Sequence, residues 1–158
     1  MKQFACLIGC AVSLALPVSA EAATSVVCKP VKKAEIAALF DRWNASLAQG
    51  PKAVGRNYAK DAVLLPTVSN KPRLTRRARE DYFEHFLAGK PRGKIDTRSI
   101  RVGCNSALDA GTYTFTFADG RKVKARYTFT YEAAKDGTWL ISSHHSSAMP
   151  ESAGSATH

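Results

Sequence analysis

A chain of 158 residues can hold one domain with a core of its own and is too short for two. Its hydrophobic content is ordinary for a globular protein, and past the first twenty residues no run is long and apolar enough to cross a bilayer. The net charge of +10 raises the question of nucleic acid, but no aromatic platform is interleaved with the basic residues.

Residues 1–23 are expected to be a secretory signal peptide. Lys2 supplies the positive start, residues 4–16 the apolar core, and Val18-Ser19-Ala20 and Ala20-Glu21-Ala22 offer small-residue cleavage sites. Leu7-Ile8-Gly9-Cys10 imitates a lipoprotein box, yet too little apolar chain precedes it, so a lipid anchor is not expected. The expected location is periplasmic or secreted. Cleavage leaves Cys28 and Cys104. An even count in an oxidising compartment favours a bridge over two buried thiols, and it would tie the start of the mature chain to the sheet.

Residues 35–49 carry a helical stripe of Ile36, Leu39, Phe40, Trp43 and Leu47, closed by Gly50 and Pro51. Asn44, beside Trp43, can reach a cavity edge. Residues 51–58 predict a short second helix with Val54 and Tyr58 on one side, and residues 62–65 a strand ended by Pro66. Thr75 is the expected N-cap of a third helix reaching Ala88, with Tyr82, Phe83, Phe86 and Leu87 as its buried stripe. Asp81 and His85, one turn apart on it, suit a surface pair better than a catalytic dyad. The run of Lys71, Arg73, Arg76, Arg77 and Arg79, continued by Lys90, Arg92, Lys94, Arg98 and Arg101, reads as a solvated basic face, compatible with an anionic ligand.

Strands fill the rest. Ile100, Val102 and Cys104 alternate with polar neighbours. Tyr113, Phe115 and Phe117 share one face of the next strand and Thr112, Thr114 and Thr116 the other. Asp119-Gly120 signals a hairpin, after which Tyr127, Phe129 and Tyr131 alternate with Arg126, Thr128 and Thr130. Asp136-Gly137 turns into the last strand, residues 139–147, W-L-I-S-S-H-H-S-S. The aromatic face of this meander needs the helices as cover. Its threonine face must be solvated or pair with another subunit, so a homodimer is expected. By alternation at most one of His144 and His145 can face a given cavity; Ser143, His145 and Ser147 continue the row of Trp139 and Ile141, which makes His145 the candidate. Diverging histidines with no second pair of ligands argue against a metal site.

The segments F-D-R-W-N-A-S-L (40–47), Y-A-K-D-A-V-L-L-P (58–66), Y-F-E-H-F-L (82–87), Y-T-F-T-F (113–117), R-Y-T-F-T-Y (126–131) and W-L-I-S-S-H-H-S-S-A-M-P-E (139–151) resemble the nuclear transport factor 2-like superfamily. The chain is most similar to SnoaL-like proteins and to bacterial relatives of the calcium/calmodulin-dependent protein kinase II association domain. The resemblance covers residues 28–151, leaving 152–158 as a disordered tail. It implies an α+β, cone-shaped (cystatin-like) fold, with three N-terminal helices packed on a strongly curved antiparallel sheet around a cavity open at one end. It also implies dimers or larger rings. The chain has no Gly-rich phosphate loop, H-R-D or D-F-G segment, so no kinase activity follows.

Superfamily members include isomerases, dehydratases and cyclases beside non-catalytic binders, so fold does not choose among them. Trp43, Asn44, Tyr58, Arg126, His145 and Ser147 are the candidates for the cavity wall. Two functions remain: an exported small-ligand-binding or oligomer-assembly module, or a small enzyme of the isomerase, dehydratase or hydrolase type with His145 as general base. Neither calls for a cofactor.

Overall fold

Helix α1 (Lys33–Ser46) starts where Glu35 reaches back to accept the Lys32 amide at 2.8 Å, and it buries Ile36, Phe40 and Trp43 along one side. The computed structural model describes Cys28 and residues 30–150; the expected signal peptide (1–23) and the expected tail (152–158) lie outside the described residues. A 3₁₀ turn (Leu47–Gln49) leads to Gly50, whose φ of +93° turns the chain so that Pro51 opens α2 (Pro51–Gly55). The expected second helix ends early because Asn57 locks the corner. Its buried amide donates to Ser46 Oγ, Ala53 O and Val54 O, and Arg42 Nε donates to its Oδ1. Tyr58 therefore opens strand β1 (Tyr58–Leu65) instead of closing a helix. Helix α3 (Arg76–Leu87) has the expected cap: Thr75 Oγ1 accepts the Ala78 amide at 3.1 Å. Asp81 lies 3.9 Å from Arg77, with both side chains exposed, rather than pairing with His85.

Strands β2 (Arg92–Val102), β3 (Ser106–Thr116), β4 (Lys122–Ala133) and β5 (Trp139–Ala148) complete one sheet in the order β1-β5-β4-β3-β2. The β2 to β5 neighbours are antiparallel, and β1 runs parallel to β5. β2 begins eight residues before Ile100. It is an edge strand whose solvent side is charged, so its apolar comb is thin in the sequence.

Three register shifts bend the sheet: between Tyr58 and Val63 on β1, between Ile95 and Thr97 on β2, and at Thr130/Tyr131 where β4 meets β5. At the second, β3 needs a glycine, since a Cβ on Gly111 would lie 2.0 Å from Thr97 O. The curled sheet wraps its aromatic face around α1. Trp43 and Phe129 ring centroids stand 5.5 Å apart, and Phe40 and Tyr127 stand 6.4 Å apart. Beside Phe40, the fully buried Asp109 accepts from the Tyr127 hydroxyl at 2.9 Å and pairs with Arg98 at 3.2 Å.

Cys28 and Cys104 form the expected disulfide, closing a sequence separation of 76 residues. Reduction is expected to destabilise the fold by about 4 kcal/mol, the loop-closure entropy for that length. Urea midpoints with and without reductant measure it.

Candidate functional site

A cavity of about 340 Å³ lies between α3, the end of β1 and the concave face of β3, β4 and β5. Its walls are apolar: Phe86, Phe115, Phe117 and Val123. Val68, 88% exposed, stands at the mouth with the exposed His85 and Arg121. Trp43, Tyr113, His144 and Ser146 are buried and form the closed end, with half-buried Thr67 beside them.

His144 reaches that end because of the irregularity in β5. Thr130 pairs with Ser143 and Tyr131 with Ile141, so Ser142 is an extra residue with no partner in the register. The extra residue reverses the parity, and Ile141 and His144 both face inward. The imidazole is 4% exposed. It stacks on Phe129 at 4.0 Å between centroids and meets Trp43 edge-on at 5.4 Å. Its Nδ1 lies 2.8 Å from Tyr58 Oη, which also accepts from Trp43 Nε1 at 3.1 Å. The phenol has one proton to give. With Trp43 already donating to it, the phenol proton finds its acceptor when Tyr58 donates to Nδ1, which puts the imidazole proton on Nε2. That Nε2 is buried and has no partner. Burial, and secondarily the charge of His145, push the His144 pKa down to about 3. At neutral pH the ring is uncharged, a hydrogen-bond donor and not a base.

Beside it the Tyr113 hydroxyl donates to Ser146 Oγ at 2.6 Å, and Ser146 Oγ shares a hydrogen bond of 2.5 Å with Thr67 Oγ1. Burial pushes both Tyr58 and Tyr113 well above the usual phenol range, so neither ionises here. The closed end can thus offer neutral N–H and O–H groups to a ligand oxygen.

The structure brings together only part of the expected site. Trp43 lines the cavity, and Tyr58 stands one bond behind His144. Asn44 turns to the edge strand instead, donating to Gly93 O and accepting from Gly93 N, both at 2.9 Å. Arg126, His145 and Ser147 lie on the opposite face of the sheet, where Arg126 Nε donates to Ser147 Oγ at 3.1 Å. Plain alternation with Tyr127 and Phe129 puts Arg126 there, and the bulge at Ser142 puts His145 and Ser147 there. His144, Ser146, Tyr113 and Thr67 take their place. The imidazole- and hydroxyl-rich closing motif was the signal for the first two; nothing in the sequence marked Thr67. Among the described residues, no group of three or more His, Cys, Asp or Glu side chains is placed to hold a metal ion.

A structure from Xanthomonas campestris, described as a calcium/calmodulin dependent protein kinase II association domain, is 50% identical. The match covers 82% of this chain and 100% of that one at a TM-score of 0.71. The iota-carbonic anhydrase from a cyanobacterium, complexed with bicarbonate, shares the fold at 19% identity, with 82% and 99% of the chains covered and a TM-score of 0.66. An NTF2-like protein with a cystatin-like fold from Novosphingobium aromaticivorans matches at 14% identity over 77% and 84% of the chains, with a TM-score of 0.64. Among curated proteins no significant match is found. The family profile for the calcium/calmodulin dependent protein kinase II association domain matches residues 32–150, and with it the chain belongs to that family, on the nuclear transport factor 2-like fold.

Proposed function

We propose that the cavity binds bicarbonate and that the protein interconverts it with carbon dioxide without a cofactor. One observation carries this reading: an unpartnered, buried His144 Nε2–H at the closed end of an apolar cavity, beside the Tyr113–Ser146–Thr67 hydroxyls. Leaving such a donor unmade costs about 1–3 kcal/mol, which a ligand oxygen would recover. The apolar walls suit uncharged carbon dioxide; the donors suit the oxygen on which charge develops. In the hydration direction, a water oxygen bonds to carbon. One C=O electron pair moves onto the oxygen facing His144, and the released proton leaves through the hydroxyls of Ser146 and Thr67 to solvent. A carbonic anhydrase of the same fold holds bicarbonate, a ligand of the size and chemistry proposed here.

Stopped-flow hydration of carbon dioxide with a pH indicator tests the reading on the mature protein. The expected result is a rate above the uncatalysed one, together with saturable bicarbonate binding by ¹³C NMR. No acceleration and no binding would overturn it.

Export to the periplasm or beyond is part of the proposal, and the Cys28–Cys104 bridge supports it. So is assembly into a homodimer or larger homo-oligomer, through the convex sheet face. Thr128, Thr130 and Ser143 there are half-buried even in the single chain, and the family is that of an association domain. Light scattering on the mature protein tests it; a monomer at all concentrations would refute it.

A further inference from the structure

Arg79 is 1% exposed, the largest charged side chain in the core. Among the described residues no carboxylate forms an ion pair with it. Burying a guanidinium without a counter-charge is expensive unless its donors are met. Here the two terminal nitrogens are met by backbone: Nη1 donates to Ala62 O at 2.5 Å, and Nη2 to Ala59 O at 2.9 Å and Lys60 O at 3.1 Å, while the buried Nε has no partner. Those carbonyls belong to the irregular stretch of β1. Tyr58 is in register with Ile141 and Val63 with Ser143, so four residues of β1 stand against one of β5. A loop of that size inside a strand has no reason of its own to hold one shape. The planar fork of Arg79 gathers it from α3.

The consequence reaches the pocket through Tyr58. The guanidinium carbon lies 5.6 Å from the Tyr58 ring centroid, and Tyr58 is the residue at which the bulge begins. Its hydroxyl is the partner of His144 Nδ1. We infer that Arg79 is a positioning residue: by gathering the β1 bulge against Tyr58 it keeps the phenol on His144 Nδ1, and so keeps the imidazole proton on Nε2. The inference rests on the proposed ligand only in its binding measurement. Arg79 itself touches neither the cavity nor His144.

Long-range ¹H–¹⁵N correlation of the imidazoles in ¹⁵N-labelled mature protein reads the tautomer directly. The unmodified protein is expected to show His144 protonated on Nε2 alone. Arg79→Gln is expected to give a mixture with the Nδ1–H form and to weaken bicarbonate binding about tenfold, the worth of one well-placed hydrogen bond. In a Tyr58→Phe background, where the relay is already cut, the same change is expected to alter binding less than about twofold. Arg79→Lys keeps the charge but not the fork, and a smaller proportion of the Nδ1–H form is expected; it supplies the readout if the glutamine variant does not fold. A pure Nε2–H tautomer in the folded variant, with only the thermal midpoint lowered, would overturn the inference and leave Arg79 a scaffold residue. An undiminished effect in the Tyr58→Phe background would overturn it as well. If the unmodified protein binds no bicarbonate, the ligand reading falls while the tautomer measurement still decides the role of Arg79.

Discussion

Replacing His144 by phenylalanine is expected to weaken bicarbonate binding by about 10- to 100-fold, as removal of one hydrogen bond to a charged acceptor should. The choice of phenylalanine isolates the nitrogen. A benzene ring can keep the stacking on Phe129 and the edge contact with Trp43. What is lost on the protein side is the acceptor of the Tyr58 hydroxyl, worth about 1–2 kcal/mol of stability. Hydration activity should fall with binding. His145→Ala is the matched control. The side chain is exposed on the far face of the sheet, so binding and activity should stay at their original values. Titration of binding by ¹³C NMR for the two variants decides the matter. A large loss in His145→Ala with none in His144→Phe would restore the imidazole expected from simple alternation and remove His144 from the site.

That contrast marks where legibility ends. The helices were readable because burial imposes a 3.6-residue stripe, and Ile36, Phe40, Trp43 and Phe83 are buried in the places such a stripe requires. The aromatic combs of β3 and β4 were readable for the same reason at period two: Tyr113, Phe115, Tyr127, Phe129 and Tyr131 are all buried. The last strand was recognisable as the carrier of the site because two imidazoles among serines have no place in an ordinary core. Which imidazole enters was not recognisable. One extra residue at Ser142 reverses every side chain beyond it, and a bulge leaves no mark in a run of small polar residues. Arg79 was hidden differently. In the sequence it is one more member of a basic run. Only the unpaired carbonyls of a strand that leaves its ladder show why this arginine is buried while Arg76 and Arg77 on the same helix face solvent. The parallel pairing of β1 with β5 was equally invisible, since it depends on where the helices return the chain.

Acid is expected to unfold the protein through His144. Its pKa of about 3 in the fold, against an ordinary 6.5, is caused mainly by burial. Below pH 6.5 the unfolded chain takes up a proton that the folded chain refuses. The unfolded state then holds more protons, so stability falls as pH drops. The contribution is intact above about pH 6.5 and is lost progressively down to about pH 3, at about 1.4 kcal/mol per pH unit, or roughly 5 kcal/mol in all. Asp109 works the other way. Burial raises its pKa despite the Tyr127 hydrogen bond and Arg98, so the fold keeps that proton longer and the associated stability disappears as pH rises through the carboxylate range. Both proteins of the comparison share Asp109, which leaves His144 as the difference. Urea midpoints of the unmodified protein and His144→Phe, taken between pH 7 and pH 4, should therefore converge on acidification and then cross, because a loss of about 1.4 kcal/mol per pH unit outruns a starting gap of about 1–2 kcal/mol. The variant starts lower for want of the Tyr58 bond and declines less steeply. Parallel lines would mean that the imidazole is solvated in the fold, and the neutral donor on which the ligand reading depends would be lost with it.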